Sequence, residues 1–383
     1  MNKWQQVNLG EAIDILSGYA FKSKDFCDKG VPVLKIQNVT NSGVLLNEDT
    51  VFVSEDTAAA LLKYKVHYDD ILITMTGSNI SQFNSVVGRV SKVKFAKPAM
   101  LNQRVGKILL KDKDSFCLDY IFYFLSQEST KIKLAQKASG SANQANISPA
   151  IIKSLKIPMP PIEVQRKIAD VLSAYDDLIE NNRKQIRLLE EAAQRLYKEW
   201  FINLRFPGHE TTKIINGIPA GWEKSLLGNL IEIKYGKDHK NIPAGDIPVY
   251  GSGGFMRKCS QALHQGEAVL IPRKGSLNNI MYVNETFWTV DTMFYALMKQ
   301  QNIGFFTYFL LKSFDMYAMN IGAAVPSMTT SILNAIDVVL PSAIVLEEFH
   351  RNINVLFKRI STLNKQNDNL METRDRLLQK LIK

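Results

Sequence analysis

Apolar positions along this chain follow two periods in turn, and the whole sequence of patterns occurs twice. Over residues 1–156, short apolar runs such as Val31-Pro-Val-Leu-Lys-Ile and Ile71-Leu-Ile-Thr-Met stand between Gly, Asn and Ser punctuation, which predicts strands and loops, with one helix expected at Leu118 to Ser126. Ile157-Pro-Met-Pro-Pro-Ile-Glu then changes the pattern: Pro160 and Pro161 are placed to open a helix, with Glu163 in its first turn. From there no Gly or Pro occurs up to Asn203, and Ile168, Tyr175, Asn182, Leu189 and Leu196 fall every seven residues. Leu172, Ile179, Ile186, Ala193 and Trp200 follow four residues after each, so one apolar stripe runs along a helix of about 38 residues, roughly 57 Å.

The second half repeats this order. After a Pro-, Gly- and Thr-rich linker at 205–221, residues 222–340 return to the strand-like pattern, with Ile247-Pro-Val-Tyr, Ala268-Val-Leu-Ile and Phe305-Phe-Thr-Tyr-Phe-Leu all read as strands. Pro341-Ser342 opens a second long helix over 341–383, in which Phe349, Leu356, Leu363, Leu370 and Leu377 fall every seven, supported by Ile353, Ile360 and Leu381. Subtracting 181 carries this stripe onto that of the first helix (157–204), and Lys184-Gln185 and Arg195-Leu196 recur as Lys365-Gln366 and Arg376-Leu377. At the module openings the offset is 218: Trp4, Leu9-Gly10, Ile13 and Gly18 recur as Trp222, Leu227-Gly228, Ile231 and Gly236. The second copy is thus shorter in its globular part, where insertions are tolerated, while the helices keep strict register. Lone helices this long would expose a continuous apolar face, so the economical structure pairs them. The expected fold class is α+β: two globular domains separated by two long helices that form an intramolecular antiparallel coiled coil, a tandem repeat with pseudo-twofold symmetry. Asn182 and Gln185, set against Gln366 and Asn367, are candidates for fixing its register.

Composition narrows the partners. The chain is 46% hydrophobic and 22% charged, ordinary for a folded soluble protein, but its net charge of +10 favours an anionic partner such as nucleic acid. No apolar run reaches the roughly 18 residues of a membrane span, and Met-Asn-Lys-Trp-Gln-Gln lacks a signal-peptide core, so a cytoplasmic location without membrane association is expected. Cys27, Cys117 and Cys259 show no CxxC pairing and the five histidines do not cluster, so neither a disulfide framework nor a metal site is expected. No Asp/Asn-Pro-Pro-Tyr/Phe motif or strand-Gly-helix cofactor turn is present. Gly251-Ser-Gly-Gly254 reads as a plain loop, Lys274-Gly-Ser276 lacks P-loop spacing, and Glu232-Ile-Lys234 reads as a solvated strand face. No catalytic residue is assigned.

The order of parts resembles the specificity subunit of type I restriction-modification systems. The resemblance is carried by Trp4-Gln-Gln-Val-Asn-Leu-Gly, Ile218-Pro-Ala-Gly-Trp-Glu-Lys-Ser-Leu-Leu-Gly, the helix entry Ile157-Pro-Met-Pro-Pro-Ile-Glu-Val-Gln-Arg-Lys-Ile and the run Leu196-Tyr-Lys-Glu-Trp-Phe. It spans the whole chain, with one departure: the second helix entry, Leu340-Pro-Ser-Ala-Ile-Val-Leu-Glu-Glu-Phe, has no Pro-Pro and no glutamine matching Gln165. The resemblance implies that 1–156 and 222–340 are target recognition domains, each reading half of a split site on double-stranded DNA. It implies spacer helices that dock two modification (methyltransferase) subunits and, through them, restriction (helicase-nuclease) subunits. No cofactor is then expected in this chain: S-adenosylmethionine belongs to the modification subunits, and ATP and Mg to the nuclease. A two-headed protein scaffold that does not bind DNA is the alternative.

Phosphates are held by Lys, Arg and small polar donors, and base edges by Arg, Asn and Gln. Candidate DNA-binding residues in the first module are Ser78, Asn79 and Gln82; Asn102, Gln103 and Arg104; and Ser141, Asn143 and Gln144. In the second they are Arg273, Lys274, Ser276, Asn278 and Asn279, with Thr292 and Ser327. Gly77-Ser78 matches Gly275-Ser276, and Gly140 matches Gly322. Any one polar loop residue is more often simply solvated, so the expectation attaches to the loops as a set more than to each residue.

Overall fold

The structure, a computed structural model, describes residues 4–41, 43–47, 49–77, 86–139, 145–319 and 327–383. Contacts divide the chain into two compact units, 1–181 with 366–383 and 182–365, so each unit holds one globular module and part of both long helices. Among the described residues no helix is long and apolar enough to cross a membrane.

In the first unit a four-stranded antiparallel sheet takes the order Val90–Lys92, Ile71–Thr74, Val105–Leu110, Ile13–Ser17. A five-stranded sheet lies in the same module, with Val31–Leu34 and Ala99–Leu101 running parallel at its centre. The helix Leu118–Ser126 buries Tyr120, Ile121 and Phe124 in one core with Ile168, Ala169 and Leu172 of the first long helix and Leu378 and Ile382 of the second. Polar bonds fix this packing. Tyr120 donates to the Pro158 carbonyl at 2.7 Å, and Gln127 Nε2 satisfies the Ile382 carbonyl at 2.9 Å. Tyr123 donates to one Asp176 oxygen and Arg374 to the other, both at 2.6 Å. Burial and the Asp176 charge push the Tyr123 hydroxyl well above its usual pKa, so it stays a donor at any working pH.

Gln165, absent from the second helix entry, is 1% exposed. Its Oε1 accepts from the Cys117 N–H at 2.9 Å, and its Nε2 donates to the Pro160 and Ser115 carbonyls at 2.8 and 3.3 Å. The glutamine therefore ties the helix entry to its own module. At the equivalent position (165 + 181) stands Leu346, 4% exposed in a core with Ile303 and Phe306, so an apolar contact replaces the polar clamp. Gln165→Ala should cost the first unit about 1–3 kcal/mol, because it strands a buried backbone N–H. Urea denaturation checks this, and an unchanged midpoint would show that water serves the site equally well.

In the second unit a six-stranded sheet takes the order Ile231–Tyr235, Met293–Met298, His264–Pro272, Met281–Thr289, Ile247–Gly251, Gly254–Cys259. The run Phe305–Leu310, expected as a strand, is part of the helix Gly304–Lys312, in which Gly304 to Phe309 and Leu311 are buried and Leu310 is half-buried. A short run that is apolar all round carries no period, and burial on every side makes strand and helix look alike in sequence. The helix sits where Leu118–Ser126 sits in the first module.

The long helices are Ile162–Tyr197, continued by a π-turn at Lys198–Ile202, and Ala343–Leu381. Within each unit they run antiparallel: Asp176 meets Arg374 in the first, while in the second Gln185 meets Arg359 and Tyr197 meets Phe349. Ile168, Tyr175, Leu189, Leu196, Phe349, Leu356, Leu363, Leu370 and Leu377 are all buried or half-buried. Asn182 and Asn367 are buried, Gln366 is exposed and Gln185 takes Arg359. The linker closes a hairpin, Ile214–Ile215 against Ile218–Pro219, through Asn216 and Gly217 at φ +52° and +78°. Asn-Gly is the pair that a two-residue turn with two left-handed residues requires.

Candidate nucleic-acid interface

In the first module three of the polar loops start from one point. The Met75 N–H donates to the Arg104 carbonyl and the Ile147 N–H to the Met75 carbonyl, each at 2.9 Å. Thr76-Gly77 pairs antiparallel with Ala145-Asn146. Arg104 Nη1 reaches both Thr76 Oγ1 and Asn146 Oδ1 at 3.2 Å, and the Thr76 hydroxyl itself donates to Asn146 Oδ1 at 2.7 Å. Arg104 and Gln103 are exposed and Asn102 is half-buried, in a turn whose N–H groups bond the Leu34 and Tyr19 carbonyls. Ser78, Asn79, Gln82, Ser141, Asn143 and Gln144 lie outside the described residues, as does Gly140.

The second module repeats this frame bond for bond. Arg273 N–H donates to the Thr292 carbonyl at 2.8 Å and Met328 N–H to the Arg273 carbonyl at 2.9 Å, while Lys274 bridges antiparallel to Ser327. Met75, Arg104 and Ile147 thus correspond to Arg273, Thr292 and Met328. The match extends to the sheet: Gly18 and Gly236 donate to the Val105 and Met293 carbonyls, and Lys111 and Lys299 each reach a glycine carbonyl, Gly10 and Gly228, at 2.6 Å. Both repeated glycines are sterically required, since a Cβ would lie 2.3 Å from the Asn102 oxygen at Gly18 and 1.9 Å from the Val290 oxygen at Gly236.

The frame is shared, but the side chains on it are not. Arginine stands at 104 where the second module has Thr292, and at 273 where the first has Met75. Arg273 stacks over Tyr235 with its guanidinium carbon 5.6 Å from the ring centroid and donates through Nη1 to the Asp291 carbonyl at 3.4 Å. Lys274 and Ser276 are exposed, and Thr292 and Ser327 half-buried. Asn278 and Asn279 are both bound to protein: Asn278 bonds the Met316 N–H and Asp315, and Asn279 donates to the Ser252 carbonyl at 2.8 Å, so both brace the loop. Sequence reading missed Tyr235 and the Ser252 hairpin; the position of Tyr235 immediately before the repeated Gly236 was the available signal. Among the described residues no three His, Cys, Asp or Glu side chains gather as metal ligands.

A tandem α+β module, carrying one polar loop cluster per copy on a pair of antiparallel helices, defines the class of this protein. The chain belongs to the type I restriction modification DNA specificity domain family, whose model matches residues 1–191 and 219–372. It is 27% identical over 326 residues to the type I restriction enzyme MjaIX specificity subunit of Methanocaldococcus jannaschii, covering 74% of this chain and 72% of that one. The MjaVIII specificity subunit of the same organism is 31% identical over 217 residues, 56% of this chain and 48% of that relative, so the chain spans about half the length of that protein. In fold, it is similar to a crystal structure of the type I restriction-modification system S subunit from M. genitalium, with a TM-score of 0.57 and 20% identity over 99% of this chain and 96% of the other.

Proposed function

We propose that this chain is the non-catalytic reading subunit of a type I restriction-modification complex, in which each module contacts one half of a bipartite duplex site. The observation that carries the reading is the shared loop frame bearing different side chains, Arg104 against Thr292 and Met75 against Arg273. Two readers of one duplex need the same approach to the backbone and different chemistry at the bases. Among the described residues the side chains of Arg104 and Arg273 hydrogen-bond to protein only through Nη1, which leaves the other N–H groups of each guanidinium for phosphate or a guanine edge. Lys274 and Ser276 supply phosphate contacts in the second module, Asn102 and Gln103 polar contacts in the first. Ser78, Asn79, Gln82, Ser141, Asn143 and Gln144, adjoining this frame in sequence, are proposed as further DNA contacts.

In this reading 1–156 and 222–340 are the recognition domains, and the helices at 157–204 and 341–383 hold them at the spacing of the half-sites. Readers on one duplex face sit about one helical turn, roughly 34 Å, or a multiple apart. A helix of 36 residues extends about 54 Å, enough to span that distance. Modification subunits dock on the helices, bring S-adenosylmethionine and perform the methyl transfer; restriction subunits bring ATP and Mg. The chemistry then lies in the partners and the complex works in the cytoplasm.

Fluorescence anisotropy of the assembled complex on duplex DNA tests this. Log K should fall steeply with log salt, by roughly 0.9 per phosphate neutralised. Arg104→Ala and Arg273→Ala should each weaken binding and lower that slope by about one, with melting curves unchanged. A flat salt dependence, or loss of folding cooperativity in both variants, would overturn the reading in favour of a protein scaffold.

A further inference from the structure

The second module carries a feature that the shared frame does not account for. Its edge hairpin, Ile247–Gly251 with Gly254–Cys259, is latched to the loop cluster from two sides. The Val290 N–H and the Thr289 hydroxyl both donate to the Tyr250 carbonyl, at 3.0 and 3.1 Å, and the Ser252 carbonyl takes Asn279 Nδ2 at 2.8 Å. Ser252 Oγ lies 2.6 Å from where a Cβ on Gly275 would stand, so the hairpin tip touches the 273–279 loop directly. The stem is stiff: Tyr250 donates to Glu285 at 2.5 Å, and Arg257 binds His239 Nδ1 at 3.1 Å and the Ile242 carbonyl at 3.0 Å. On this rigid stem Phe255 is 59% exposed and Met256 52%, the two largest apolar side chains of the strand. In the first module the position of Tyr250 is held by Leu34, whose carbonyl takes the Asn102 N–H, and the chain continues into a 3-10 turn at Ile36–Asn38 that leaves only Gln37 exposed.

Two adjacent exposed apolar side chains, held rigidly against a loop with exposed Lys274 and next to exposed Lys258, fit a partner that is anionic outside and apolar within. Stacked bases behind a phosphate backbone have that arrangement, and Phe and Met are among the wedges that DNA-bending proteins insert between base pairs. We infer that Phe255, backed by Met256, inserts into one base step of the half-site read by the second module. Unstacking that step couples the deformability of its sequence to binding, so the wedge is a specificity determinant of the second module. This rests on the DNA-reading function proposed above.

The test uses the assembled complex and a duplex carrying the site mapped from the methylated positions it produces, with 2-aminopurine placed in turn at each step of the second half-site other than the methylated base, which the methyltransferase itself draws out of the stack. Wild type should raise the fluorescence at one step only, and Phe255→Ala should abolish the rise and weaken specific binding about tenfold or more, with random-duplex binding unchanged. Phe255→Leu should retain part of both effects. If wild type prefers its site over random duplex, yet no step brightens and Phe255→Ala binds equally well, the wedge is refuted and the reading function stands. If wild type shows no site preference, both fall. If Phe255→Ala impairs assembly with the modification subunits instead, the patch is a protein contact and the wedge is refuted.

Discussion

Phe349→Ala is expected to destabilise the second unit by about 3–5 kcal/mol while leaving the first unit's stability nearly unchanged. Phe349 is 0% exposed, and its ring meets Phe201 at 4.7 Å, Trp200 at 5.7 Å and both Tyr197 and Phe309 at 6.3 Å. These partners come from the end of the first long helix, its π-turn and the helix Gly304–Lys312. One side chain therefore joins the start of the second long helix to the end of the first and to the module helix Gly304–Lys312. Removing it leaves an aromatic-sized cavity that T-shaped rings, fixed at 76–78° for Phe201 and Phe309, fill poorly. Against a net stability of 5–15 kcal/mol for an ordinary domain, the loss is large. Urea unfolding followed by tryptophan fluorescence should show an early transition from Trp200 and Trp222, which both lie in this core. Ile344→Ala, 78% exposed one turn earlier, should change stability by no more than about 0.5 kcal/mol. Equal, small effects of the two substitutions would mean that the aromatic cluster does not hold the helices to the module.

The family and the α+β tandem architecture were legible because the repeat survives in sequence wherever geometry forbids change. Gly18 and Gly236 are fixed by carbonyls that would collide with any Cβ, and the helix stripes keep their offset of 181 because an inserted residue would turn the apolar face away. What lay between was less legible. The first module uses 41 residues from Leu34 to Met75 (75 − 34) where the second uses 23 from Tyr250 to Arg273 (273 − 250), and the extra length includes the unforeseen helix Glu55–Ala60. Phe305–Leu310 was read as a strand although the repeat aligns it with Leu118–Ser126; the repeat was the better guide, because it records the fold and not the local period. At the loops, sequence gave the polar residues but not their direction. That Asn278 turns to Asp315 and Met316, or that Arg104 braces Thr76 and Asn146, depends on partners 28 to 42 residues away.

The largest functional change is expected from the length of the paired helices. Gln185 and Arg359 meet at 3.5 Å, so they mark facing positions on antiparallel elements. Four residues inserted after each would lengthen both helices by about 6 Å and turn them about 40° past a full turn, which keeps the apolar stripes facing. Two residues inserted after each would rotate the stripes by about 200°, expose them and abolish assembly. The direct measurement is a map of methylated sites made by the complex carrying the matched four-residue insertions. With about 3.4 Å per base pair, both half-sites should be unchanged and the unread spacer between them longer by one or two base pairs. A spacer of the original length would show that the helices do not set the distance between the two readers.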